Sequence, residues 1–211
     1  METDLFGTSA RAMAVDALHE QTAIYTADPV VGKLLDEVSW PEGGGVMVDT
    51  SCGDGAFLVA ALKRLLILEP GASVDLVLNR LEGWEIHFHA ARESRSRVAA
   101  VLESYGWAQS EAREVAGRMV REGDFLTECD DSRRYGTIVG NPPYLRWMYV
   151  PHVLRSEYEE SVPEYATQDM LHAFLDRCTA RLAPGGEIAF VTSDRWLANE
   201  NASKLREVIG K

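Results

Sequence analysis

The chemistry in this chain concentrates in Asn141-Pro142-Pro143-Tyr144, directly after the apolar run Thr137-Ile138-Val139-Gly140, which reads as a buried strand ending in a turn. Two consecutive prolines neither continue a strand ladder nor enter a helix interior, so the backbone there is rigid and extended. Such a backbone at a strand's carboxyl end suits a planar amine. The Asn141 side-chain oxygen and the Pro142 carbonyl accept both hydrogens of an NH2 group, and the Tyr144 ring stacks on the flat system that bears it. Alone, the four residues also read as a plain turn with a half-exposed tyrosine. The company they keep weighs against that.

Upstream, Val46-Met47-Val48-Asp49 leads through Thr50-Ser51-Cys52-Gly53-Asp54-Gly55 into Ala56-Phe57-Leu58. This is a strand, a tight glycine loop and a helix, the first unit of an α/β nucleotide-binding sheet. It is not the dinucleotide fingerprint. The third glycine is missing, and Asp49 and Asp54 would repel a pyrophosphate at the helix N-terminus. Acidic groups suit ammonium, sulfonium or ribose hydroxyls, which favours S-adenosylmethionine over NAD. Gly83-Trp84-Glu85-Ile86 reads as the end of a second strand, with Glu85 placed to take both ribose hydroxyls. In Glu122-Gly123-Asp124-Phe125-Leu126, Asp124 can accept from an adenine amino group while Phe125 packs on the purine face. Glu85 alone is an ordinary solvated charge and Gly-Asp-Phe an ordinary turn. Their succession at strand ends makes the joint reading consistent.

With these motifs in place the chain resembles the N6-adenine DNA methyltransferases, specifically the gamma-type class whose cofactor motif precedes Asn-Pro-Pro-Tyr. Tyr25-Thr26-Ala27-Asp28-Pro29-Val30-Val31-Gly32 resembles the segment that these enzymes place before the first strand, and residues 49–58 match the family's cofactor loop. Pro184-Gly185-Gly186, Trp196-Leu197 and Leu205-Arg206-Glu207 extend the likeness, which runs from about residue 25 to the end. The resemblance implies a Rossmann-like S-adenosylmethionine-dependent methyltransferase sheet. It implies cofactor contacts from Tyr25, Thr26, Pro29, Asp49, Ser51, Cys52, Gly53, Gly55, Phe57, Glu85, Ile86, Asp124, Phe125 and Asn141, with Asn141, Pro142, Pro143 and Tyr144 around the reacting amine. Here Ala27-Asp28 separates Thr26 from Pro29, where a closer Thr-Pro is usual.

Composition sets the frame. A chain of 211 residues, 46% hydrophobic, suits one catalytic domain, and the resemblance implies an N-terminal helical segment over 1–45 that closes on the cofactor ahead of an α/β core over 46–211. No run of about 18 apolar residues occurs, and the acidic start Met1-Glu2-Thr3-Asp4 is unlike a signal peptide. Cys52, Cys129 and Cys178, at unrelated spacings, fit reduced thiols in the cytoplasm. His87 and His89 could share a metal, but no further ligand cluster accompanies them, so no metal is expected.

Periodicity and caps predict helices over 9–21 (capped by Ser9), 56–68, 88–104, 110–120 (capped by Ser110) and from Thr167 onward through Leu171, Phe174, Leu175 and Cys178. A fifth strand is expected over 187–192, after the Pro184-Gly185-Gly186 turn. Residues 144–167 show no clean period and read as a loop of about 20 residues, a candidate lid.

Two features depart from the family. The formal net charge is −12 with a pI near 4.9, whereas a protein gripping duplex DNA usually presents a basic face. Arg133-Arg134, Arg146 and Arg195 are the local exceptions. The C-terminal strand pair and target-recognition region usual in the family are not evident, which predicts an uncovered edge on strand five and a second chain or subunit supplying strands and recognition. The expected partner is DNA with its adenine flipped from the stack. The rival readings are a protein (glutamine amide) or RNA amino-methyltransferase, and a cofactor-binding subunit that needs a partner.

Overall fold

A computed structural model describes residues 5–210. The chain begins with two helices, α1 (Leu5–Thr22) and α2 (Asp28–Asp36), and then alternates strand and helix: β1 (Met47–Asp49), α3 (Ala56–Leu68), α4 (Val74–Arg80), β2 (Leu81–Glu85), α5 (Phe88–Ser104), α6 (Gln109–Met119), β3 (Val120–Glu122), α7 (Phe125–Glu128) and β4 (Tyr135–Gly140). After β4 come α8 (His152–Glu159), α9 (Met170–Arg181), β5 (Leu182–Phe190), α10 (Arg195–Ala198) and α11 (Ser203–Ile209).

The five strands form a parallel sheet in the order β3-β2-β1-β4-β5, with Val48 opposite both Glu82 and Ile138. Successive side chains on a strand point to opposite faces, and the sheet uses this to fill two apolar layers. Met47 and Val139 face α3, α5 and α6 with Leu58, Leu62, Val98 and Leu102. Val48 and Ile138 face α8 and α9 with Phe125, Leu154, Tyr158 and Phe174. Helices therefore cover both faces, as a buried parallel sheet requires. Among the described residues β5 pairs with β4 alone, which leaves it at the edge, and none of its residues is fully buried.

Several local expectations change. The segment 144–167 is not an open loop: it holds a 3-10 turn at Trp147–Tyr149, the helix α8 and a second turn at Glu164–Ala166. Trp147, Val150, Leu154, Tyr158 and Val162 are all buried. Only Leu154 and Tyr158 lie one turn apart within α8, too short a stripe to register as a period. Ser110 lies inside α6, which is capped by Ala108, and α9 is capped by Asp169, whose carboxylate accepts from the Leu171 N–H at 3.0 Å, rather than by Thr167. Strand β5 starts at Leu182 and runs through the Pro184-Gly185-Gly186 turn. Ser9 falls within α1 rather than at its start, and its side chain, like that of Arg195, lies outside the described residues, as do Met1 to Asp4 altogether. No described helix is long and apolar enough to cross a membrane.

Candidate active site

The strand order reverses between β1 and β4, and the carboxyl ends of those strands open the crevice where α/β sheets take ligands. Gly140 ends β4 with φ of 147°, and a Cβ there would lie 2.8 Å from Asp49 Oδ1, so glycine lets the two strand ends close together. The loop after β1 is tied to its neighbours by backbone donors. Ser51 N–H donates to Asp49 Oδ1 (3.2 Å), Cys52 N–H to the Trp84 carbonyl (2.8 Å) and Gly53 N–H to Glu85 Oε2 (2.8 Å). Glu85 Oε1 accepts from His87 N–H at 2.8 Å, and Asp124 caps α7 by accepting from Leu126 N–H at 3.0 Å.

A cavity lies over these strand ends. Ser51 and Gly53 line it from the first loop; Glu85, Ile86, Asp124 and Phe125 line it from the second and third strand ends. Tyr25, Asn141 and Pro143 complete the part foreseen from sequence. Leu18, His19 and Thr22 of α1, with Tyr158 of α8 and Phe174 of α9, also line it. Those helical positions carry no local signal, because only packing brings them to the strand ends.

Six expected contacts stand off the cavity wall. Thr26 Oγ1 accepts from Asn141 Nδ2 (3.2 Å), Pro29 is exposed in the first turn of α2, and Asp49 is buried beneath the loop. Cys52 is buried with Sγ 3.7 Å from Ser94 Oγ, Gly55 caps α3 at φ 86°, and Phe57 is core. Phe125 does line the cavity but is 1% exposed and stacked near Phe174 at 6.5 Å between ring centroids, so most of its surface is committed to the core.

The cavity is rich in buried acceptors. Burial pushes Asp49 up to about 8 and Asp124 up to about 6, and it raises Glu85 as well; Glu85 and Asp54 add repulsion at Asp49. Thr50 Oγ1, Ser51 Oγ and Asp124 Oδ2 are buried with no hydrogen-bond partner among the described residues.

Asn141 is held from both ends. Its Nδ2 donates to the Ile24 carbonyl (3.1 Å) and Thr26 Oγ1, while its Oδ1 accepts from the Tyr144 hydroxyl, which also faces the Val191 carbonyl. Tyr144 does not line the first cavity. It lines a second, wider groove together with Arg146, Trp147 and Trp196. The Asn-Pro-Pro-Tyr turn thus stands between two recesses. Elsewhere, His87 caps α5 and stacks on His19 at 3.7 Å, and no described group of three or more acidic, histidine or cysteine side chains is arranged to hold a metal. Of the basic residues, Arg133 pairs with the buried Glu82 at 3.0 Å and Arg134 donates to the Asp131 carbonyl, so neither lines either recess.

The Eco57I restriction-modification methylase model matches residues 77–211, from α4 through the C-terminal helix. The chain belongs to the Eco57I restriction-modification methylase family. It is 29% identical over 214 residues to the Type II methyltransferase M.PaeR7I of Pseudomonas aeruginosa, an alignment covering 96% of this chain and 37% of that protein. The chain therefore spans little more than a third of that relative's length. Its fold matches a protein described as a class I S-adenosylmethionine-dependent methyltransferase from Listeria monocytogenes (TM-score 0.56, 13% identity, 85% of this chain and 49% of that one). It also matches the Type ISP restriction-modification enzyme LlaBIII, solved bound to DNA (TM-score 0.61, 15% identity, 88% of this chain and 16% of that one).

S-adenosylmethionine is the cofactor of this methylase family, and the residues present fit it. Glu85 and Asp124 are buried acidic groups on the cavity wall, and a cationic ligand relieves their mutual repulsion. The unpartnered Ser51 and Thr50 hydroxyls and Asp124 Oδ2 offer acceptors for its hydroxyl and amine hydrogens.

Proposed function

We propose that this domain methylates the exocyclic N6 of adenine in DNA, as the catalytic part of a restriction-modification or defence system. The observation that carries the reading is the position of Asn141: it lines the carboxylate-rich cavity, and its side-chain oxygen is bonded to Tyr144, which lines the groove on the other side. S-adenosylmethionine supplies an electrophilic methyl group when bound. Residues 46–211 act as the catalytic core, and residues 1–45 close over the cofactor.

Adenine N6 is a poor nucleophile because its lone pair is delocalised into the ring. Asn141 Oδ1 has a second lone pair beyond the one that Tyr144 occupies, and with the Pro142 carbonyl it accepts the two amine hydrogens. These dipoles are fixed before reaction and stabilise positive charge as it develops on the nitrogen. Ile24 and Thr26 prevent the amide from turning its NH2 end to the substrate. The rigid proline pair holds the acceptors at one spacing, so positioning supplies much of the rate. The surplus proton leaves the methylated amine afterwards to solvent. A paired adenine must be flipped to reach this turn, and Tyr144 offers its ring as a platform. Target recognition and most of the phosphate grip are assigned to a further region or partner chain, consistent with the net charge of −12. Three buried thiols suit a reducing cytoplasm.

The test is transfer of labelled methyl to mixed-sequence single- and double-stranded DNA, RNA and cell protein, with products digested and assayed for N6-methyladenine. Label in N6-methyladenine from DNA, lost in Asn141→Ala, supports the reading. Label in RNA or in a protein amide overturns it.

A further inference from the structure

Two buried ring nitrogens on the wall of the groove beside Tyr144 have no partner among the described residues: His172 Nδ1 and Trp196 Nε1. His172 sits on α9 and is 4% exposed. Trp196 sits on α10, packed against the small cluster of Leu171, Leu175 and Leu205. Buried polar nitrogens are paired in the great majority of cases, and leaving one unmet costs free energy that an outside partner recovers. Two such atoms on one recess form a pattern.

The groove's other chemistry narrows the partner. Tyr144, Trp147 and Trp196 offer flat faces on which a heterocycle stacks, and Arg146 and Arg155 bring cations to a chain that is otherwise strongly acidic. The indole N–H only donates. Burial holds the His172 imidazole below its usual range, opposed by Asp169 and assisted by Arg206, so the ring is neutral and has one donor and one acceptor nitrogen. Stacking faces, edge-reading nitrogens and arginines together suit a nucleotide unit: base, edge and phosphate.

We infer that His172 and Trp196 determine specificity by hydrogen-bonding the ring edge of the target base, away from the amine held at Asn141. This rests on the DNA reading above. The two residues come from elements separated by all of β5, and they meet where Trp196 packs against Leu171 and Leu175 of α9. Neither touches the cofactor cavity, so their loss should spare cofactor binding.

The experiment uses the full chain and mixed-sequence DNA in which adenine is replaced throughout by its 1-deaza, 3-deaza or 7-deaza analogue, each lacking one ring acceptor. Trp196→Phe keeps a ring and removes the N–H. It should lower kcat/KM on ordinary DNA about tenfold. One analogue should slow the wild type about as much and slow Trp196→Phe no further. His172→Leu should lose about tenfold, while His172→Asn, whose amide falls near the Nδ1 position, should regain most of it. S-adenosylhomocysteine titration and the melting curve should match the wild type in all three. Variants that transfer at the wild-type rate, or losses that add independently with every analogue, overturn the inference. A wild type that labels RNA or a protein amide instead of DNA overturns the substrate reading, and this inference with it; that result is distinguishable because it appears before any substitution is made.

Discussion

The Tyr144 hydroxyl donates to the Asn141 side-chain oxygen while also facing the Val191 carbonyl. One hydroxyl hydrogen serves two acceptors, so the bond to Asn141 is in competition with one to the end of β5. The amide does not depend on Tyr144 for its orientation, because Ile24 and Thr26 hold its nitrogen separately.

Asn141→Ala should therefore reduce methyl transfer by at least about 100-fold, the usual cost of one preorganised polar group at a reacting centre. Tyr144→Phe, which keeps the ring, should stay within about tenfold of wild type, and Tyr144→Ala should fall between them. Single-turnover rates decide it. A Tyr144→Phe enzyme as inactive as Asn141→Ala would make the hydroxyl itself essential.

Asp49 links pH to stability. Its carboxyl is raised to about 8 by burial, above its unfolded value near 4. The folded state binds this proton more tightly, so the contribution to stability is full below about pH 4 and is lost as pH rises through about 8. The cofactor-free domain should unfold at lower urea concentration at pH 8 than at pH 5, and Asp49→Asn should flatten that dependence. Parallel curves for the two proteins would assign the slope to other groups, such as Asp124.

Both carboxylate oxygens of Glu85 accept backbone N–H groups, from Gly53 and His87. In Glu85→Gln one of those donors would face an NH2 group. The substitution should loosen the loop over residues 50–55 as well as weaken cofactor binding. Amide exchange at Gly53 should speed up in the variant without any ligand present; unchanged exchange would restrict Glu85 to ligand contact.

Gly55 caps α3 at φ 86°, and an added Cβ would lie 2.5 Å from Ser94 Oγ and 3.2 Å from Ser94 Cα. Gly55→Ala should destabilise the domain by about 1–3 kcal/mol through backbone strain and overlap. Ser94→Gly in the same chain should recover the part due to overlap and leave the part due to φ, as a double-mutant cycle of urea midpoints would show.

Much of the site was legible because its chemistry lies at strand ends, where local sequence carries it. The run before Asp49, the glycine turn, Glu85, Asp124 and Asn141 could each be placed from apolar runs and turn residues. Caps were less legible: Ser110 and Thr167 are good capping types, but Ala108 and Asp169 occupy the cap positions. At α6 no side chain caps the first turn, whereas at α9 Asp169 makes the bond expected of Thr167. Residues 144–167 were opaque for another reason. Their buried side chains serve three short elements, none long enough to show a period.

The sequence alone determined the alternation of strands and helices, the carboxylates at the strand ends and the rigid Asn-Pro-Pro-Tyr turn after β4, because these depend on neighbours a few residues apart. Tertiary structure alone decided that Thr26, Asp49, Cys52, Gly55 and Phe57 stand off the cavity wall. It also decided that α1 and α8 close the cavity, and that Tyr144, His172 and Trp196 share a second recess. Such placements depend on which way each side chain leaves its element once the two faces of the sheet are filled, and contacts across tens of residues leave no periodic trace in the chain.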